Sequence, residues 1–179
     1  MLDELIKYDS NFDEAGFKSY IDNIFVKLFT AVMTDSLDDV KHFLSSEVRE
    51  TYQNKIDDLN HQNLIQMYDE LNVKTSSISN VEITDNSFII TVSLTARYLD
   101  YLLRKDTGSF VSGNVNNRVC KDYLLVFTKK RQTLQQGIVR KCPGCGASLS
   151  VNTSGVCEYC GTTYNLADYD YILTSIKEC

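Results

Sequence analysis

The sequence predicts an α+β fold: helices packed in a curved antiparallel sheet, cone-shaped, followed by a small zinc ribbon. Three observations carry the prediction. Apolar residues recur at helical spacing in the first third of the chain. From Val73 onward the period changes to two, the signature of strands with one buried face. Two Cys-x-x-Cys pairs then stand near the end. A run of helices followed by a run of strands is the α+β pattern, and 179 residues suffice for one medium domain with a small appendage.

Phe17, Ile21, Ile24, Phe25, Leu28 and Val32 form one stripe of about four turns, with Asp13 and Glu14 near its start, where acidic groups suit the helix dipole. Thr34-Asp35-Ser36 offers caps for a short second helix carrying Leu37, Val40 and Leu44. A third helix is expected after Ser45-Ser46, with Val48, Tyr52, Ile56 and Leu59 on one side. Leu64 to Val73 reads equally as helix or as the approach to a strand. Val81 and Ile83 belong to a strand that turns at Asp85-Asn86. Phe88, Ile90, Val92, Leu94, Ala96 and Tyr98 then alternate with polar or smaller neighbours in a long strand. Asp106 to Asn117, with Gly108 and Gly113, reads as a loop. Val119, Tyr123, Leu125 and Phe127 mark another long strand that ends in Lys129-Lys130-Arg131. A last strand is expected around Leu134 to Arg140. A sheet of this kind wrapped around a helical hairpin makes a half-open cone, whose mouth can hold a ligand or a partner segment.

The strongest chemical signal is Cys142-Pro-Gly-Cys145-Gly, eleven residues, then Cys157-Glu-Tyr-Cys160-Gly. Two thiolates two residues apart reach one tetrahedral ion from a tight turn, and two such turns supply four sulfur ligands. Gly146 and Gly161 follow the second Cys of each pair, where positive φ lets backbone N–H groups aim at sulfur. Disulfides would suit a secreted chain, and no export signal precedes these cysteines. A redox pair needs one reactive motif rather than two matched ones. Catalytic zinc keeps an open coordination position, and four Cys leave none, so the expected cofactor is one structural Zn held by Cys142, Cys145, Cys157 and Cys160. Leu149 and Val151 read as a strand between the pairs, with a turn at Asn152 to Gly155. Cys120 is expected as a buried thiol in its strand and Cys179 as an exposed one.

Net charge is −6, unevenly spread. Arg97 to Lys141 carries ten Lys or Arg against three Asp, hence +7, which leaves −13 for the remainder. Such a segment suits anionic lipid, nucleic acid or an acidic protein; strands with solvated faces would also produce it. No stretch approaches the roughly 18–20 apolar residues that cross a bilayer, and the acidic start MLDELIKYDSNF is unlike a signal sequence. If the chain is whole, its expected location is cytoplasmic, with the inner face of the membrane as a peripheral option. His42 and His61 stand beside no nucleophile or metal motif, and no Gly-rich phosphate loop, G-x-S-x-G or H-E-x-x-H occurs. Neighbouring carboxylates at Asp38-Asp39, Asp57-Asp58 and Asp69-Glu70 read as solvated faces.

The helical leader, the long strands, Val111-Ser-Gly-Asn114 before Arg118-Val119, and Gly155-Val-Cys-Glu-Tyr-Cys-Gly161 with Asp168-Tyr-Asp-Tyr171 together resemble bacterial Tim44-like proteins. The resemblance runs from about Asn11 to Ile176, and the ribbon with its Asp-Tyr-Asp tail is the more specific part. It implies a cone of the nuclear-transport-factor-two-like superfamily. It also implies the business of the family's mitochondrial relatives, which bind the inner membrane and scaffold protein translocation. The division expected is a leader at 1–11, the Tim44-like cone at 12–140, and the ribbon with its tail at 141–179.

The reading that follows is a non-enzymatic scaffold with a protein partner or lipid in the cone pocket. An anionic membrane surface is a further partner, met through Lys129, Lys130 and Arg131. One alternative is a small-molecule-binding or enzymatic cone, for which Asp100 and Asp122 are the strand carboxylates; their competing role is pairing with Arg97, Arg104 or Lys121. The other is ribosome or nucleic-acid contact through the basic strands. Against it, Cys142 to Cys179 carries one Lys and four Asp or Glu, a charge that repels phosphate.

Overall fold

The computed structural model describes residues 2–9, 12–131, 140–142, 145–149, 157–162 and 170–179. Its elements are α1 (Leu2–Tyr8), α2 (Glu14–Met33), α3 (Ser46–His61), β1 (Leu64–Ile83), β2 (Ser87–Arg104), β3 (Phe110–Lys130), β4 (Arg140–Lys141), β5 (Ser148–Leu149) and β6 (Ile172–Glu178). The α+β expectation holds: one antiparallel sheet in the order β1-β2-β3-β6 takes the helices, and β4 pairs with β5 separately.

Local chemistry sets the helix starts. Asp13 accepts the Gly16 N–H at 2.8 Å and Ser45 accepts the Val48 N–H at 3.3 Å, which satisfies donors that no intrahelical carbonyl reaches. The expected second helix shrinks to a single 3₁₀ turn at Lys41–Phe43, and Leu37, Val40 and Leu44 are buried from turns instead. Three-residue repeats are as available to 3₁₀ turns as to an α-helix, so the spacing alone did not separate them.

The core lies between α2 and the inner face of the sheet. Phe88, Ile90, Val92, Leu94, Ala96 and Tyr98 of β2 are each at most 1% exposed, and Tyr123, Leu125 and Phe127 of β3 share their face. Phe25 and Phe29 of α2 stack at 4.3 Å between ring centroids, and Phe29 meets Tyr68 of β1 at 4.7 Å. The leader joins this core, because Leu5 of α1 is fully buried.

Leu64 to Val73 belongs to β1, which is twenty residues long. Register shifts between Asp69 and Asn72, Val73 and Thr75, and Ile78 and Asn80 interrupt its alternation, and Glu70 sits at φ 56° within the first. Bulges of this kind add twist and bend the strand, which is how the sheet curves around α2. The expected loop at Asp106 to Asn117 is only a tight turn; β3 begins at Phe110. Gly113 (φ 103°) lies against β2, where an added Cβ would come within 2.4 Å of the Asp100 carbonyl oxygen and 2.5 Å of Tyr101 Cα. Gly113→Ala is therefore expected to cost about 1–3 kcal/mol in urea unfolding, whereas Gly108→Ala, with open space around it, costs only the strain of its φ of 67°.

The sheet also takes a strand that the sequence reading did not expect. Residues 132–139, with most of the expected Leu134–Arg140 strand, lie outside the described residues, as do the Val151 strand position, the turn at Asn152 to Gly155, and Asp168 and Tyr169. The outer place beside β3 is filled by β6, from Tyr123↔Glu178 to Thr128↔Ile172. Residues beyond the cysteines thus complete the cone's sheet.

Candidate functional site

Two constellations are built from these elements. In the first, backbone geometry repeats at each cysteine pair. Cys142 N–H donates to Ala147 O at 2.8 Å and Gly146 N–H to Cys142 O at 2.9 Å; Cys157 N–H donates to Thr162 O at 2.9 Å and Gly161 N–H to Cys157 O at 2.8 Å. Gly146 and Gly161 take φ of 72° and 70°. The four Sγ atoms all lie within 4.8 Å of one another, with Cys142 to Cys160 at 3.6 Å and Cys145 to Cys157 at 3.8 Å. Those separations are far too long for disulfides. They match the edge of a tetrahedron with metal–sulfur bonds of about 2.3 Å, near 3.8 Å. Four close cysteines so arranged could hold a metal ion. Cys142 and Cys157 are buried, and Cys145 and Cys160 face outward.

The second constellation went unnoticed in the sequence. On the inner face, past the aromatic core, the hydroxyls of Tyr98 and Tyr123 hydrogen-bond each other in a buried pair. Lys55 of α3 donates to the Tyr68 hydroxyl at 2.8 Å, its ammonium 5.5 Å from that ring's centroid. Lys121 pairs with Glu178 at 2.8 Å and Asp100 at 3.6 Å, and Gln66 donates to Asp100 at 2.8 Å. Beside this cluster a groove of about 400 Å³ opens between α3 and β6, lined on the helix side by Val48, Thr51, Tyr52 and Lys55. Tyr98 and Tyr123 sat in the apolar alternation like any core residue, so no local pattern marked their pairing. Glu178 and Lys121 meet only because β6 returns to β3.

Burial raises the hydroxyl pKa of Tyr52, Tyr68, Tyr98 and Tyr123, with the mutual hydrogen bond adding to the rise at Tyr123. Lys55 moves the other way, because water lost around its ammonium disfavours the charge. Lys121 is raised, chiefly by its hydrogen bond to Glu178. The sign for the tyrosines follows from linkage: a folded pKa above the unfolded value of about 10 gives stability that is present below pH 10 and lost as pH climbs toward the folded value. Urea midpoints are expected to hold from pH 8 to about 9.5 and fall steeply beyond 10. A urea midpoint that stays level up to about pH 11 would show these hydroxyls to be in contact with water.

The remaining sequence candidates separate. Lys129 and Arg131 do not form a basic patch with Lys130. Lys129 is 9% exposed and pairs with the buried Asp9 at 2.7 Å, because alternation puts it in phase with Tyr123, Leu125 and Phe127. Arg131 is half-buried, its guanidinium 4.9 Å from the Tyr8 ring centroid and donating to Thr84 O at 2.8 Å. Lys130, one step out of phase with Lys129, is exposed. Asp100 meets Lys121, one of the partners expected for it, while Asp122 is on the outer face, accepting from Thr95 at 2.6 Å. Cys120 is exposed on that outer face rather than buried, since it is out of phase with Tyr123. His42 is half-buried in the 3₁₀ turn, where desolvation first and Lys41 second lower its pKa; His61 is exposed at the end of α3. Asp69 and Glu70 fall in β1, accepting from Tyr101 and pairing with Arg118 respectively. Among the described residues no helix is long and apolar enough to cross a membrane.

Residues 1–137 match the family profile described as the Tim44-like domain. A search of curated proteins found no match. Among solved structures, the intermembrane space region of the chloroplast protein ARC6 is similar at 9% identity, over 89% of this chain and 94% of that one, with a TM-score of 0.41.

Proposed function

Since the chain belongs to the Tim44-like domain family, we propose that it is a non-enzymatic binding protein that holds a segment of a partner protein at the mouth of its cone. The observation that carries this reading is the groove between α3 and β6, where an accessible binding surface adjoins a rigid core. Its ionisable groups are matched to one another, Lys121 to Glu178 and Asp100, Lys55 to Tyr68, and the tyrosines are pushed away from neutral pH by burial. A general base works best with a pKa near the working pH, so the raised tyrosines suit recognition better than proton transfer. We further propose that the four cysteines hold structural Zn, since four thiolates at tetrahedral spacing fill its coordination and leave no position for a substrate. The ribbon would then be a folding unit within 141–179, and the cone would extend beyond the 12–140 span through α1 and β6.

A second reading, peripheral contact with an anionic membrane at the inner face, draws on the α1 end of the cone. Ile6 and Tyr8 are 43% and 50% exposed there, with the Arg131 guanidinium over the Tyr8 ring and Lys130 exposed at the end of β3. Exposed apolar side chains beside basic ones suit the headgroup boundary. Liposome flotation separates the two readings. Cardiolipin-rich vesicles, but not neutral ones, should carry the protein at low salt if the membrane reading holds, and Lys130→Glu should weaken this by about 1 kcal/mol. Protein that stays at the bottom with every vesicle leaves the soluble binding role standing alone.

A further inference from the structure

We propose that the outer edge of β6 accepts an extended segment of a partner protein as a fifth strand, seated in the α3 groove with an acidic side chain against Lys55. This rests on the binding reading above and names the partner's chemistry. Among the described residues β6 pairs with β3 alone, so its other edge presents unpaired backbone groups. The chain itself makes the first contact of such a strand. Leu44 forms a parallel bridge to Leu173, and Ser45 N–H donates to Leu173 O at 2.9 Å. Ser45 then caps α3, the backbone turns away, and among the described residues nothing continues along the edge from Thr174 to Glu178.

The groove meets the strand edge-on. Consecutive strand residues face opposite sides of a sheet, yet Thr174, Ser175 and Ile176 all line the groove. With the register shift opposite Val126 and Phe127 placing Thr174 out of step, this fits a space running along the strand edge. Cys179 N–H donates to Asp122 O at 2.9 Å on the β3 side, so two-residue alternation turns the backbone groups of Ile176 and Glu178 outward. Opposite them, Val48, Thr51, Tyr52 and Lys55 form one stripe of α3, a wall against which every other side chain of an added strand would pack.

Charge selects the occupant. Among the described residues no carboxylate lies within 4.0 Å of the Lys55 ammonium, and its hydrogen bond there goes to the Tyr68 hydroxyl. Glu178 and Asp100 are paired with Lys121 and act on Lys55 only from a longer distance. Glu47 stands at the far, N-terminal end of the α3 stripe and would repel an acid there. A β-forming segment with Asp or Glu at the Lys55 end, and neutral or basic residues toward Glu47, fits both ends. Main-chain hydrogen bonds would supply affinity and the Lys55 contact the register.

The test uses the whole chain with zinc present, panned against a random peptide display library. Enrichment of β-branched sequences with one acidic position is expected. The selected peptide should bind Thr51→Trp, which fills the groove from an exposed helix position, at least about ten-fold more weakly. On Lys55→Glu the selection should move to Lys or Arg at the same peptide position. Hydrogen exchange at the Ile176 and Glu178 amides should slow on binding. No enrichment, or enriched peptides that bind Thr51→Trp unchanged, overturns the proposal, as does peptide binding that leaves those two amides unprotected. Peptides that bind but map elsewhere overturn the strand addition while leaving the binding function intact.

Discussion

Replacing Lys129 with methionine is expected to destabilise the fold by about 3–5 kcal/mol. Lys129 is 9% exposed and reaches Asp9, which is 2% exposed, at 2.7 Å. Its ammonium also lies 5.2 Å from the centroid of the Tyr171 ring, whose hydroxyl is 3.5 Å from the same Asp9 oxygen. Methionine preserves most of the packing but leaves Asp9 buried and uncompensated, and desolvating an unpaired carboxylate is far more costly than losing a surface contact. The pair also ties together three distant segments, the end of α1, the end of β3 and the approach to β6. Urea unfolding of the single variant and of Lys129→Met with Asp9→Leu distinguishes the causes: the double variant should recover most of the loss, because it removes the stranded charge. A single-variant loss under about 1 kcal/mol would mean that the pair is solvated, and Lys129 would return as a surface cation.

Cys157→Ser is expected to abolish metal binding and unfold the ribbon without unfolding the cone. Cys157 is 1% exposed and supplies one of four sulfurs. A module of this size has almost no core, so on the proposed zinc reading metal ligation on the order of 10 kcal/mol would be its main source of stability. The cone should hardly notice. Releasing the ribbon lengthens the loop to be closed between β3 and β6, but each doubling of a loop costs only about 0.6 kcal/mol. The expected result is zinc content falling from one per chain to none, with the urea transition of the cone shifted by less than about 1 kcal/mol. Loss of both together would mean that the ribbon braces the sheet directly.

How much was legible depends on the range over which each signal acts. The stripe of α2 and the alternation of β2 are uninterrupted, and both elements stand where the sequence put them. Asp13 and Ser45 announce helix starts through bonds only three residues long. The four cysteines are brought together as their spacing implied. The reading stays open where a bulge breaks the period, as in β1 at Asp69 to Asn72, and fails where a polar strand imitates a loop. Asn114 shows why: its side chain accepts from the Asn116 and Asn117 N–H groups, a local turn-like pattern set within a paired strand. The Lys129-Lys130-Arg131 run divides for a different reason. Proximity in sequence suggested one patch, while the two-residue period already visible in Tyr123, Leu125 and Phe127 sends Lys129 inward. The tyrosine and Lys55 cluster had no local signal at all, since it draws on α3, β1, β2, β3 and β6 together.

That β6 comes after the ribbon also sets an order of events during synthesis. While the cysteine segment is being made, the β3 positions from Tyr123 to Thr128 have no neighbour on their outer side. About forty residues separate the end of β3 from β6, which at 5–20 residues per second is a delay of roughly 2–8 s. During that interval the nascent chain displays a bare strand edge with Leu125 and Phe127 beside it, a form prone to pairing with other chains. A chaperone that shields an edge of this kind would therefore matter most for chains stalled between Lys130 and Ile172. Scarce zinc, by contrast, would leave the timing of sheet closure almost unchanged.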